Sequence, residues 1–280
     1  MERLCTVYFE LSNEERVEIL KILELSPQNF TYICEKLSLN SQQCSRHLTR
    51  LLEADLIEKK PDGAYHISSY GRILLKLGQS IDFASARRDY FLTHDLSRIP
   101  YEFVTRLGDL SNSRSTKDVM SSISEFESII NEAEEFIWVI INKRTRSVRP
   151  FVARAIERGI SLRSISPPSY VPQIDVKRVI SESDELAIIK AEGEGRAEVA
   201  DTEQFDVYLW VSEKAAFLCF PLNDGTFDYN GFISSDQRAV QFCRDLFNYY
   251  WKRVRIIPTV EIVERHLHYV NYYGVYPKYP

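Results

Sequence analysis

The sequence predicts an α+β chain in two parts: a helical N-terminal module closed by a short hairpin, then a larger α/β domain built on a mixed sheet. Three observations carry this. Residues 29–60 hold two short helical patterns and a basic strand in immediate succession. The run Phe136-Ile137-Trp138-Val139-Ile140-Ile141 is continuously apolar and flanked by helical patterns, as expected of a strand covered on both faces. Between them, Ser111-Asn112-Ser113-Arg114-Ser115 marks a change from helical to alternating texture.

A chain of 280 residues with 44% hydrophobic content can supply a core for each part. The net charge of −5 excludes a protein coated in basic surface, so a nucleic-acid contact has to come from a local patch. Residues 1–80 contain ten Lys or Arg against eleven Asp or Glu, so even this region is near neutral. No apolar run approaches the roughly eighteen residues of a membrane helix, and Met1-Glu2-Arg3-Leu4-Cys5 does not read as a signal peptide. A cytoplasmic protein with no membrane partner is expected. Five cysteines, none in a CxxC pair, read as thiols in a reducing compartment.

The first helix is predicted from Ser12-Asn13-Glu14-Glu15, a capping-box pattern, with Val17, Leu20 and Leu23 recurring up to Pro27. Ile33 and Leu37 mark a short second helix, and Ser38-Leu39-Asn40 a turn. The third helix opens Asn40-Ser41-Gln42-Gln43, again with capping-box spacing, and buries Cys44, Leu48, Leu51 and Leu52. Its free face carries Gln42, Ser45, Arg46, Thr49 and Arg50, side chains able to bond base edges or phosphates, with no acid before Glu53. Leu56-Ile57-Glu58-Lys59-Lys60 and Ala64-Tyr65-His66-Ile67-Ser68 flank Pro61-Asp62-Gly63, which makes a hairpin. Three helices and a hairpin in this order are a winged helix-turn-helix. Ser69 then caps a helix through Ile73, Leu74, Leu77 and Ile81.

The expected division is 1–80 for the winged helix, 81–115 for a rigid helical connector, 116–257 for the α/β domain and 258–280 for a tail with five tyrosines from Tyr269 to Tyr279. Within the α/β domain a helix runs through Ile123, Phe126 and Ile130, and another over 148–157 ends at Gly159. Strands are expected at 136–141, 160–165, 185–190, 205–211 and 215–220. Asp236 starts a closing helix to about Val254.

Several short segments resemble the archaeal winged-helix transcriptional regulators typified by the methanogenesis regulatory protein, whose second domain is similar to the phospholipase D fold. They are Asp95-Leu96-Ser97-Arg98-Ile99-Pro100 with Arg106-Leu107-Gly108-Asp109-Leu110, the strand at 135–140, Asn223-Asp224-Gly225-Thr226-Phe227-Asp228, and Leu246-Phe247-Asn248-Tyr249-Tyr250. The likeness covers roughly residues 5–255. It implies an ArsR-like winged helix on operator DNA, a degenerate phospholipase-D-like domain that senses a small molecule, and a dimer.

The enzymes of the phospholipase D fold use a His-x-Lys-x4-Asp motif, His to attack phosphorus and Lys to neutralise its oxygens. Two residues after His47, His66, His94, His266 and His268 stand Thr49, Ser68, Leu96, His268 and Val270, so no enzyme is expected. Cys34 and Cys44 flank the turn of the motif; they read as small buried hydrophobes, with a redox switch as the sharper alternative. His266-Leu267-His268 has no third ligand at metal spacing, so no metal or cofactor is expected. Glu192-Gly193-Glu194-Gly195-Arg196 is an acidic loop, not a phosphate cradle. Asn29-Phe30-Thr31 fits a glycosylation sequon by chance.

The candidate DNA contacts are Ser41, Gln42, Gln43, Ser45, Arg46, Thr49 and Arg50 in the groove, with Lys59, Lys60 and His66 at the wing. The candidate effector residues are Trp138, Arg144, Arg146, Arg149 and Arg163 near strand ends, with Tyr208, Trp210, Asp224, Asp228 and Tyr229 from the later half. Strand carboxyl ends line ligand crevices in α/β sheets, and arginines there suit an anionic metabolite. The partners expected are double-stranded operator DNA, a second copy of the chain and an unidentified small-molecule effector. The alternative is a winged-helix protein-interaction module of a cytoplasmic assembly, without specific DNA binding.

Overall fold

A computed structural model describes residues 2–116, 118–143, 146–167, 190–191 and 193–257. By contacts the chain forms two compact units, Met1–Asp82 and Phe83–Pro280. Residues 185–189 of the strand expected at 185–190 and the tail from Pro258 lie outside the described residues, and Lys190 is helical.

The first unit opens with α1 (Glu2–Leu11), a helix the periodicity does not announce because Leu4, Tyr8 and Phe9 stay exposed. Helix α2 (Glu14–Leu25) starts one residue later than its capping pattern suggests: Asn13, not Ser12, is the cap, and its Oδ1 accepts from Arg16 N at 3.1 Å. Helix α3 (Phe30–Lys36) is capped by Asn29, whose side chain accepts from Tyr32 N at 2.9 Å. Helix α4 (Ser41–Glu53) has the full capping box: Asn40 Oδ1 accepts from Gln43 N, and Gln43 Oε1 accepts from Asn40 N. Together these caps satisfy N–H groups that the first helical turns leave unpaired.

Strands β1 (Ile57–Lys59) and β2 (Tyr65–Ile67) pair antiparallel, with Ile57 opposite Ile67 and Lys59 opposite Tyr65. Their turn needs Gly63, which sits at φ +87°. Helix α5 (Ser69–Ala86) begins after Ser68, not Ser69 as the cap: Ser68 Oγ donates to Asp55 O and accepts from Gly71 N. Gly71 lets the helix press on the wing, since a Cβ there would stand 2.1 Å from the Leu56 carbonyl oxygen. Ile19, Leu20, Leu23, Ile33, Cys44, Leu48, Leu51, Leu56, Ile57 and Leu75 close the core.

The second unit is built on an eight-stranded sheet: β3 (Arg114–Ser115), β4 (Phe136–Ile140), β5 (Ser161–Ser166), β6 (Ala197–Asp201), β7 (Tyr208–Val211), β8 (Ala216–Cys219), β9 (Phe232–Ser234) and β10 (Arg255–Ile256). The order is β10-β6-β5-β4-β7-β8-β9-β3; β4, β5 and β6 run parallel and the other pairs antiparallel, so the sheet is mixed. Strand β6 escapes the sequence reading because Ala-Glu-Val-Ala-Asp lacks an apolar run; only pairing with β5 defines it.

Each face of the sheet has its own core. Helices α8 (Val119–Glu132) and α9 (Arg149–Glu157) cover one, through Phe126, Ile130, Val152 and Ile156 against Ile137, Val139, Tyr208, Trp210 and Phe217. Helix α10 (Gln237–Trp251) covers the other with Phe242, Leu246 and Phe247. Residues 83–110 join this second core: Phe83, Ile99, Phe103, Leu107 and Leu110 pack with α10 and the sheet. These residues, set apart above as a connector, are therefore integral to the second unit. Two short helices, α6 (Arg88–Thr93) and α7 (Tyr101–Val104), shape the segment.

Candidate nucleic-acid interface

Helix α4 divides into two faces. Cys44, His47, Leu48 and Leu51 are buried, while Ser41, Gln42, Gln43, Ser45, Arg46 and Thr49 are exposed. Burial pushes the His47 imidazole below its ordinary range, the field of Arg46, Arg16 and Arg50 adding to it against Glu15. Gln43 is spent in part on the cap, its Oε1 held by the Asn40 amide. Gln42, Ser45, Arg46 and Thr49 thus form an exposed row able to donate and accept in a groove, Arg46 being its only cation.

Arg50 is not part of a free row. Its Nε donates to Glu10 Oε2 at 2.9 Å and its Nη2 donates to Glu10 Oε1. The guanidinium also lies 4.9 Å from the Phe9 ring centroid. Glu10 is buried and faces Arg16 as well, at 3.2 Å. The Arg50 hydrogen bond, with the two arginine charges, holds the Glu10 carboxyl below the usual carboxylate range despite burial. The helix itself carries no acid before Glu53, and the acid that meets Arg50 comes from α1. A contact across forty residues leaves no periodic trace in sequence.

At the wing, Lys60 Nζ pairs with Glu58 Oε2 at 2.6 Å, both exposed. Lys59 Nζ stands 5.3 Å from the Tyr65 ring centroid, and His66 is half-buried opposite Glu58. The basic character of the hairpin is thus partly neutralised by its own acid. Burial pushes the Cys44 thiol up to about 12, with the neighbouring Cys34 thiol adding to the shift, so Cys44 holds little thiolate.

The effector candidates do not converge. Trp138 and Arg163 lie on the α10 face: the Trp138 ring stacks on Phe247 at 5.1 Å, and Arg163 pairs with Glu198 at 2.7 Å. Arg163 and Arg244 stand over the Trp138 ring at 5.5 and 5.8 Å. Tyr208 and Trp210 belong to the opposite core, where Trp210 stacks on Phe126 at 5.4 Å. The alternation of strand side chains separates the two sets, and a single pocket containing all ten is excluded.

Asp224 is held in its own turn, accepting from Thr226 N and Oγ1 at 2.8 and 2.6 Å. Asp228 accepts from Asn230 N and Nδ2 and lies 3.3 Å from Nε2 of buried His94, so it fastens the 90–94 segment to the loop before β9. Tyr229 is the exception: at φ +59° it occupies left-handed backbone, costly for a bulky residue, and its hydroxyl donates to Asn142 Oδ1 at 3.3 Å just past β4. Arg149 opens α9, whereas Arg144 and the Arg146 side chain lie outside the described residues.

Two parts of the chain match known domain families. Residues 11–60 match a helix-turn-helix domain, and residues 119–253 match the methanogenesis regulatory protein FilR1, middle domain. The chain thus carries, in this order, a match to a helix-turn-helix domain and a match to a FilR1 middle domain, the two parts of the winged-helix regulators it resembles. It is 24% identical over 223 residues to methanogenesis regulatory protein FilR1 of Methanothrix harundinacea (strain 6Ac), covering 75% of this chain and 48% of that relative. The chain thus spans about half the length of the curated relative it matches. Among solved structures it is similar to TrmBL2, an archaeal chromatin protein, at 14% identity and TM-score 0.42, covering 85% of this chain and 91% of that one. A second is Nuc, a phospholipase D family member from Salmonella typhimurium, at 10% identity and TM-score 0.36, covering 52% and 97%. Both likenesses are distant. No helix among the described residues is long and apolar enough to cross a membrane.

Proposed function

We propose that the chain is a one-component, sequence-specific DNA-binding transcriptional regulator and not an enzyme. The observation that carries the reading is the exposed row Gln42, Ser45, Arg46 and Thr49 on a helix held rigidly by the Asn40–Gln43 box. Ser41 and Gln43 flank the row at the amino end, and Lys59, Lys60 and His66 stand at the wing for the phosphates. Selection from a random-sequence duplex pool tests it: an enriched motif is expected, and Arg46→Ala loses the preference at one base position. A pool that stays random after selection, with no salt-dependent binding, would favour the protein-interaction module instead.

The second unit is assigned effector sensing, and dimerisation is assigned to α5, whose exposed apolar side belongs to the first unit. Of the described candidates for the effector, Tyr229 bonds Asn142 just past β4 and its ring meets that of Tyr208, at the carboxyl end of β4, where crevices form in such sheets. The strained Tyr229 backbone supports a ligand contact there. Dimerisation draws support from α5, which exposes Tyr70, Ile73, Leu77 and Ile81 on one side. Replacing Leu77 by Glu is expected to leave monomers in light scattering; an unchanged mass would remove α5 from the dimer.

A further inference from the structure

Arg50 belongs to the last turn of α4, whereas a recognition helix meets base edges with its amino-terminal residues. Its guanidinium has five N–H donors, of which Nε–H and one on Nη2 go to Glu10. The remaining three carry no side-chain hydrogen-bond partner among the described residues, and the Arg50 side chain is 38% exposed while Glu10 is 6% exposed. Glu10 is itself fixed, because Arg16 bonds its carboxylate, its carbonyl at 2.7 Å and the Phe9 carbonyl at 2.7 Å. One carboxylate between two guanidinium groups leaves the cluster with a net positive charge.

We propose that Glu10 is a positioning residue for DNA: it fixes Arg50 at the end of α4 as a phosphate-contacting group, so that the seating of α1 sets the affinity for the duplex backbone. This rests on the DNA-binding reading above. A guanidinium already held by two charge-assisted hydrogen bonds loses little freedom when it meets a phosphate. A contact of this kind adds affinity to every sequence and no base preference.

The test is fluorescence anisotropy of the full chain with a labelled duplex of mixed sequence, titrated at several salt concentrations, with thermal midpoints alongside. Arg50→Ala is expected to lower the slope of log K against log salt by about 0.9, the value of one phosphate contact. Glu10→Gln keeps the Arg50 charge, so the slope is retained while affinity falls about 3- to 10-fold from lost pre-organisation. That fall should vanish when Glu10→Gln is made in the Arg50→Ala background. Arg50→Lys, which keeps a cation beside Glu10 and leaves the Arg16–Glu10 pair in place, should behave as Glu10→Gln does and serves if the latter does not fold. An unchanged slope in Arg50→Ala, tighter binding by Glu10→Gln, an undiminished Glu10→Gln effect without Arg50, or wild-type affinity in Arg50→Lys would each overturn the proposal. A wild type that binds no duplex brings down the DNA-binding reading itself, whereas binding with an unchanged Arg50→Ala slope brings down only this one.

Discussion

The exposed row of α4 and the effector candidates of the sheet were both drawn from residue types suited to binding, yet only the first set comes together. Gln42, Ser45, Arg46 and Thr49 share one helix, so a 3.6-residue period places them side by side whatever the rest of the chain does. Trp138, Arg163, Tyr208 and Trp210 come from three strands, and strand alternation sends them to opposite faces with a core on each. Binding residues set out along one element can be read locally; those gathered from several depend on register and strand order.

The contrast breaks most sharply at Trp210. As a core residue stacked on Phe126, its replacement by Ala is expected to cost about 3–5 kcal/mol in urea unfolding of the second unit. Unchanged unfolding would make it a ligand side chain instead. The same substitution on α4 should do the reverse. Arg46→Ala is expected to cost about 1–3 kcal/mol of specific DNA binding if it reads a guanine, with the unfolding midpoint unmoved. A loss of stability comparable to the loss of binding would place Arg46 in the fold.

A smaller effect separates groove from wing. Lys60→Ala is expected to weaken binding to all sequences alike and to lower the salt slope by about one. Because Lys60 already pairs with Glu58, Glu58→Gln should strengthen non-specific binding modestly by releasing it. If Lys60→Ala changes sequence preference and leaves the slope alone, the wing reads bases and the division of labour is wrong.

What is legible in the sequence follows the same division. The Asn40 cap, the buried Cys44, Leu48 and Leu51, the Gly63 turn and β4 all rest on spacing within one segment, and the structure has them where the spacing places them. Helix α1 is not legible, because Leu4, Tyr8 and Phe9 stay exposed and its ties are polar ones, from Glu10 and the Phe9 carbonyl to Arg16 and from Glu10 to Arg50. Strand β6 is a strand by virtue of its neighbour β5. The 83–110 segment reads as a connector because it stands between two better-patterned regions and its short helices show no long period of their own, yet Phe83, Ile99 and Phe103 each find the α10 core. Of the candidate sites, the α4 row is legible except at Arg50, and the effector set is not, since no local period decides which face of the sheet a residue meets.

The finest distinction lies between the two faces of α4 itself, and His47 probes it. It is on the binding helix, but it is buried, and burial lowers its pKa below the unfolded value of 6.5. The sign follows from linkage. With the folded pKa depressed, the unfolded chain binds the proton more readily, so the stability His47 contributes is complete above pH 6.5 and is lost as pH falls through the folded pKa. The thermal midpoint of the first unit should therefore decline from about pH 6.5 downward, ahead of the carboxylates, with Glu10 adding its own loss only at lower pH because its folded pKa is depressed from 4.5. His47→Gln, which cannot titrate, is expected to remove the first part of that decline and keep the second. DNA affinity extrapolated to fully folded protein should not follow the His47 titration, since the inner face of α4 does not meet the groove. A DNA affinity that follows the same curve would put His47 in the interface and remove the distinction between an inner face that folds the helix and an outer face that reads.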